Sequence, residues 1–205
     1  MNYPGGIRPR NNVASSPVAS RVKKSASKKK RTLKVAAGNR GMDFEAEINA
    51  SNDYYRKKGL CLITKRPTPI NVVKVDYTHG PKIIQAYFES QSTTDYNGVY
   101  QGHYIDFEAK STRNKTSFPL ANIPPQQIAH LKGVISQNGI AFFLINWALL
   151  NETYLVKASD VIEFYESRPR ASIPYSAMKE KAFLVKEGYF PRFDYLPVLV
   201  EAFLK

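Results

Sequence analysis

The chain of 205 residues is 43% hydrophobic and 12% aromatic, enough for one globular domain with a substantial core. It carries a formal net charge of +13, and its single cysteine, Cys61, excludes an internal disulfide and fits a reducing compartment. No apolar run is long enough to span a bilayer and the N-terminus lacks an apolar secretory core, so the expectation is a soluble, cytoplasmic protein with no membrane partner.

The excess charge sits at one end. Residues 1–40 hold eleven Lys or Arg and no acid, so the remaining 19 basic residues nearly balance 17 acidic ones. Residues 1–38 mix those cations with Ser, Ala, Asn and Pro and few large apolar groups, too little buried surface to offset ordering, and are expected to be a disordered basic tail. Such an arm attracts polyanions. Without Leu, Phe or Trp interleaved at helical spacing it does not read as a lipid-binding helix, which favours nucleic acid.

Residues 39–205 are expected to form the domain. Over residues 40–58, Phe44, Ile48, Tyr54 and Tyr55 with acids early, bases late and Gly59 beyond predict a helix. Residues 60–64 suit a short buried strand holding Cys61 as a small core residue. Pro67 and Pro69 then exclude helix and central strand, so the chain should leave the body there. Residues 70–77 and 82–89 read as a hairpin joined at Thr78-His79-Gly80-Pro81. After a strand over residues 103–110 come a helix entered through Pro124-Pro125 and ending near Gln137, a central strand over residues 140–147 and a short strand over residues 153–156. Three helices are expected to follow, one capped by Ser159 and running through Glu166, one over residues 176–186 and one over residues 195–204. The sum is an α/β fold with a mixed central sheet flanked by helices.

The chemistry concentrates at Asp95 and in Asp106-Phe-Glu108-Ala-Lys110. Side chains alternate along a strand, so Ile105, Phe107 and Ala109 would enter a core while Asp106, Glu108 and Lys110 share the other face. Two readings fit that face. Neighbouring carboxylates repel, and a hard cation held between Asp95 and Glu108 would relieve them, with Lys110 orienting a water or a phosphate. A solvated charged strand face gives the same alternation. His79, His103 and His130 are too scattered for a zinc set and read as turn, strand-face and helix-surface residues.

A longer series of motifs bears on that choice: Asn39-Arg40-Gly41-Met42, Lys65-x-Pro67-Thr68-Pro69, Gln85-Ala86-Tyr87-Phe88, Ser92-Thr93-Thr94-Asp95-Tyr96-Asn97-Gly98, Tyr104-Ile-Asp-Phe-Glu108-Ala-Lys110, Asn114-Lys-Thr-Ser-Phe-Pro-Leu120 and Gln127-Ile-x-His130. In these, in this order, the chain resembles the RecU-type Holliday junction resolvases of low-GC Gram-positive bacteria, within the restriction-endonuclease-like nuclease superfamily. The resemblance implies a homodimeric, magnesium-dependent endonuclease, with manganese as a substitute, that resolves four-way DNA junctions by paired symmetric nicks in recombination and repair. It further implies a nucleoid-associated protein partnered by a branch-migration helicase and a recombinase.

Carried over residue by residue, the resemblance makes Asp95, Glu108 and Lys110 catalytic, and Thr93, Asp95, Glu108 and Gln127 the metal site. Lys110 is left as either a base or a charge stabiliser, and Asp106 as structural or a supporting neighbour. Glu45 matches a further acid position, and equally suits a helix N-terminal carboxylate stabilised by the dipole. Residues 65–88 match a protruding β-hairpin stalk that enters the junction, with Lys65, Arg66, Lys74 and Lys82 meeting phosphates and Tyr87 and Phe88 meeting unstacked bases; packing under the hairpin is the other reading for these two aromatics. The Thr78–Pro81 turn is less basic than the family's. Arg40 resembles its junction-binding arginine. Two other classes fit the same residues, a junction-binding accessory protein without catalysis and a less selective DNA endonuclease on the same fold.

Overall fold

The computed structural model describes residues 37–89 and 93–205, with side chains from Phe44 onward. The tail expected over residues 1–38 falls outside the described residues except for its last two, which open the first helix. In chain order the elements are α1 (Ala37–Lys57), β1 (Leu62–Lys65), β2 (Ile70–Asp76), β3 (Lys82–Phe88), β4 (Tyr96–Tyr100), β5 (His103–Thr112), β6 (Ser117–Pro119), α2 (Pro125–Ser136), β7 (Ile140–Trp147), β8 (Glu152–Lys157), α3 (Ala158–Ser167), β9 (Ser172–Pro174), α4 (Tyr175–Lys181), β10 (Phe183–Val185) and α5 (Leu196–Phe203). None of the described helices is long and apolar enough to cross a membrane.

Six strands form one mixed sheet in the order β1-β4-β5-β7-β8-β10, antiparallel throughout except for the parallel pair β5–β7. Alternation sorts its two faces. On one, Tyr96, Ile105, Phe107, Phe142, Leu144 and Leu155 pack with Phe44, Ile48 and Tyr55 of α1 and with Leu196 and Leu199 of α5. On the other, Ala141, Phe143, Ile145, Trp147 and Val156 pack with Ile128 and Leu131 of α2 and Val161 and Ile162 of α3. Strand β7 is apolar at nearly every position because it feeds both cores, as a central strand must.

The first core is pinned by aromatic rings. Tyr96, Phe107 and Phe142, on three adjacent strands, stack at centroid separations of 4.8 and 4.6 Å, and Tyr195 meets Phe107 edge-on at 5.4 Å. With Phe107 locked in this stack, its neighbours Asp106 and Glu108 must face α2. Gly98 is required where β4 meets β1: a Cβ there would lie 2.0 Å from the Leu62 carbonyl oxygen and 2.6 Å from the Ile63 Cα.

The hairpin of β2 and β3 forms a two-stranded ribbon of its own, outside the central sheet. Its cross-strand pairs divide it by chemistry. Ile70 with Phe88 and Val72 with Ala86 share one face, while Asn71 with Tyr87 and Lys74 with Gln85 share the other, with register shifts between Val72 and Val75. Phe88 and Tyr87 are both exposed and sit at the root of the ribbon, not its tip.

Two expectations change in the C-terminal third. The helix expected over residues 176–186 ends at Lys181, and Phe183–Val185 instead joins the sheet beside β8. Burial of Val185 in the first core, together with pairing of the β8 edge, outweighs helical patterning. Ser159 lies inside α3, whose N-cap position is Lys157 and carries no side-chain cap. Cys61 is half-buried against the first core, which pushes its thiol up to about 11.

The close approach at Gly98 predicts that Gly98→Ala costs at least about 2 kcal/mol of unfolding free energy, measured by chemical denaturation. Gly133→Ala on α2, where an added Cβ meets nothing within 4 Å, should instead gain up to about 1 kcal/mol.

Candidate active site

Glu108 lies at the middle of β5 and is 1% exposed. Isolated, a buried carboxylate would be costly, and the structure surrounds it with donors. The Lys110 ammonium stands 2.6 Å from its Oε1, the Gln127 side-chain amide donates to the same atom at 2.7 Å, and the backbone N–H of Asp95 donates to Oε2 at 3.0 Å. The Asp95 carboxylate in turn accepts from the Ala109 N–H at 3.3 Å. Thus Asp95, Glu108, Lys110 and Gln127 converge from a turn, one strand and one helix. Thr93 opens the turn that carries Asp95.

The Glu108 carboxyl is raised from its ordinary 4.5 to about 7. Burial is the main cause; Lys110 opposes it and the neighbouring Asp95 charge adds to it. The face is therefore not the solvated charged strand that the alternation also allowed, because α2 covers it.

A cation suits this donor set. Among the described residues no three His, Cys, Asp or Glu side chains converge in metal-ligating geometry, so an ion here would draw on the two carboxylates and neutral oxygens. One such oxygen is at hand: Gln127 is 7% exposed and its Oε1 is buried with no hydrogen-bond partner, while its Nε2 is spent on Glu108. Hard oxygen donors, two of them anionic and one otherwise orphaned, fit magnesium or manganese.

The remaining predicted residues are dispersed. Glu45 of α1 is ion-paired with Lys65 at the end of β1, and its backbone carbonyl accepts from the Tyr96 hydroxyl at 3.3 Å. That phenol is pushed well above its usual range by burial first and then by the charges of Glu45, Asp95 and Glu108. Lys74 and Lys82 are exposed on the ribbon. The Tyr87 hydroxyl accepts from the Gln85 amide at 2.7 Å. Arg40 falls within α1, with its side chain outside the described residues. Arg66, expected among the stalk's phosphate contacts, turns inward, its Nη2 donating to Asp106 Oδ2 at 2.7 Å.

Asp106, expected as structural or a supporting neighbour, gathers a second cluster. Its Oδ2 also accepts from the Tyr104 hydroxyl at 2.9 Å and meets His130 Nε2 at 2.9 Å, and its Oδ1 accepts from Thr94 Oγ1. His130 is thus more than a helix-surface residue. The signal was its spacing: it lies three positions after Gln127 on α2, so both share a face of that helix.

Comparison with known proteins adds the lineage. The profile of the family described as RecU, recombination protein U, matches residues 39–201. A protein of Lactococcus lactis subsp. lactis named Holliday junction resolvase RecU is 52% identical over 181 residues, covering 87% of this chain and 84% of its own. One of the same name from Streptococcus equi subsp. equi is 48% identical over 180 residues, covering 86% and 89%. Among solved structures, Hjc, a Holliday junction resolvase of Archaeoglobus fulgidus, aligns with a TM-score of 0.41 and 9% identity over 71% of this chain and 97% of its own.

The raised Glu108 pKa carries a sign. The folded chain holds this proton more tightly than the unfolded one, so its contribution to stability is full below pH 4.5 and is lost as pH rises to about 7. In metal-free buffer, Glu108→Gln is therefore expected to be nearly neutral at pH 4.5 and to exceed the wild type by up to about 3 kcal/mol at pH 8, a gap that denaturation curves across that range would measure.

Proposed function

The chain belongs to the RecU, or recombination protein U, family, and on that premise we propose that it resolves four-way DNA junctions as a structure-selective endonuclease dependent on magnesium. The observation that carries the catalytic part of this reading is the convergence of Asp95, Glu108, Lys110 and Gln127, around a Glu108 carboxylate too buried to serve as a solvated face.

Asp95 and Glu108 would hold the cation, with the orphaned Gln127 Oε1 as a neutral donor. When bound, magnesium polarises the scissile phosphate and makes a water more acidic. Lys110, its ammonium already at the acid pair, holds a non-bridging phosphate oxygen or the attacking water in line, and offsets the charge that builds as the bond to the leaving oxygen breaks. Because Glu108, without the cation, takes up a proton near pH 7, protons compete with the cation for it, and cutting should rise with pH through that region.

Recognition falls to the ribbon. Lys74 and Lys82 face solvent for phosphates, and Phe88 and Tyr87 present exposed rings, one on each face, to bases unstacked at the crossover. Their position at the root sets those rings close in sequence to the turn bearing Asp95. A four-way junction presents two equivalent strands, and a two-fold homodimer would set one site against each for paired nicks. Arg40 and the basic residues before it would add salt-dependent phosphate contacts. Such a substrate lies on the nucleoid, where a branch-migration helicase and a recombinase would be its neighbours.

Asp95→Asn and Glu108→Gln should each lower single-turnover cleavage of a synthetic four-way junction by at least about a thousandfold in magnesium, while binding without magnesium stays within about threefold. Equal cutting by these variants and the wild type would defeat the nuclease reading. Deleting residues 67–86 should reduce the preference for junction over linear duplex at matched salt about tenfold or more. An unchanged preference would remove the ribbon from recognition and leave the metal site standing.

A further inference from the structure

We infer that Asp106 is a positioning residue that fastens the ribbon and the helix α2 to the cutting site, so that the two move as one body. The inference rests on the function proposed above and concerns groups that neither hold the cation nor reach the phosphate. Asp106 is fully buried, and three donors crowd its Oδ2: Arg66 Nη2 at 2.7 Å, the Tyr104 hydroxyl at 2.9 Å and His130 Nε2 at 2.9 Å. Thr94 Oγ1 occupies Oδ1. A carboxylate so engaged has no oxygen left for a metal, although it lies on the same face as Glu108, two residues away.

Each tie leads to a site residue. Thr94 directly precedes Asp95. Arg66 opens the segment leading into β2, and its backbone N–H donates to the Asp95 carbonyl at 2.7 Å while its guanidinium holds Asp106. His130 follows Gln127 by three positions on α2, so that helix meets β5 twice: Gln127 on Glu108 and His130 on Asp106. The two contacts run in opposite senses along helix and strand. That fixes both the direction and the height of α2 above the acids.

The arrangement makes Arg66 a strut between the recognition ribbon and Asp95, a different role from that of a phosphate contact. Its guanidinium is largely covered, and its Nε is buried without a partner. Force on the ribbon from a fitted or misfitted DNA is delivered through Arg66 to the turn that presents Asp95. Shape discrimination then acts on the chemical step as well as on binding, since small displacements of a catalytic group are costly.

The test uses the full chain with Arg66→Gln, Arg66→Lys and His130→Gln, the last retaining a donor of similar reach. For each, the equilibrium Kd for a four-way junction without magnesium, the single-turnover rate at saturating protein with magnesium, and Tm are measured. The expected result for Arg66→Gln is a rate lowered about tenfold to a hundredfold with Kd changed less than about threefold, partial recovery of the rate in Arg66→Lys, and a smaller loss in His130→Gln. A Kd raised tenfold with an unchanged rate would overturn the inference by making Arg66 a phosphate contact. A lowered Tm with Kd and rate both unchanged would overturn it by making the cluster merely structural. Wild-type protein that fails to cut the junction would sink the function reading and this inference together; wild-type cutting with all three variants at full rate would sink the inference alone.

Discussion

Everything in this molecule that bears on chemistry depends on one strand being two-sided and buried on both sides. Alternation along β5 sends Phe107 into a stack with Tyr96 and Phe142, and the same geometry sends Asp106 and Glu108 under α2. The ring stack is the fixed term. Its rings gain from burial and its one hydroxyl, on Tyr96, is paired with the Glu45 carbonyl, whereas the two carboxylates would on their own be driven toward water. The apolar face thus holds the polar face in an environment it would not choose. Glu108 answers with a raised pKa, and Asp106 answers with a full complement of donors.

The two acids, on one face and two residues apart, consequently play opposite parts. Asp106 is satisfied by arginine, histidine, tyrosine and threonine, a closed set that binds segments together. Glu108 is held by a lysine, an amide and one backbone N–H, beside a second carboxylate and an amide oxygen with no partner. Only the second arrangement leaves capacity for a cation. Both kinds of acid thus sit on the same strand, one tying segments together and one left with open donors beside it.

Much of this was legible in the sequence, for physical reasons that differ between elements. Strand β7 and the hairpin β2–β3 were readable because continuous apolar runs and proline-bounded alternation have few other interpretations. The motifs around Asp95 and Glu108 named the lineage, but alternation alone did not reveal whether their face was wet, since that depends on where α2 lands. The C-terminal edge strand was not readable: three residues of β10 carry little pattern, and the decision between helix and strand is made by the free edge of β8 and the burial of Val185. The Asp106 cluster was invisible for a similar reason. Arg66, Thr94, Tyr104 and His130 are spread over 65 positions and look like surface residues one at a time; only the packing of α2 against β5 makes them a set.

The lone parallel pairing in the sheet, β5 with β7, has a further consequence for when the protein can act. Parallel neighbours cannot be joined by a tight turn, so the chain must cross a face of the sheet between them, and here that crossing is the segment containing α2. On the ribosome, Asp95, Glu108 and Lys110 have all been synthesised by residue 110, yet the Gln127 amide that completes their pocket and the strand that flanks it come later. A nascent chain of that length therefore carries the two acids and the lysine without the helix and the strand that enclose them. That enclosure forms only once α2 and β7 have been made and the crossing between β5 and β7 has closed.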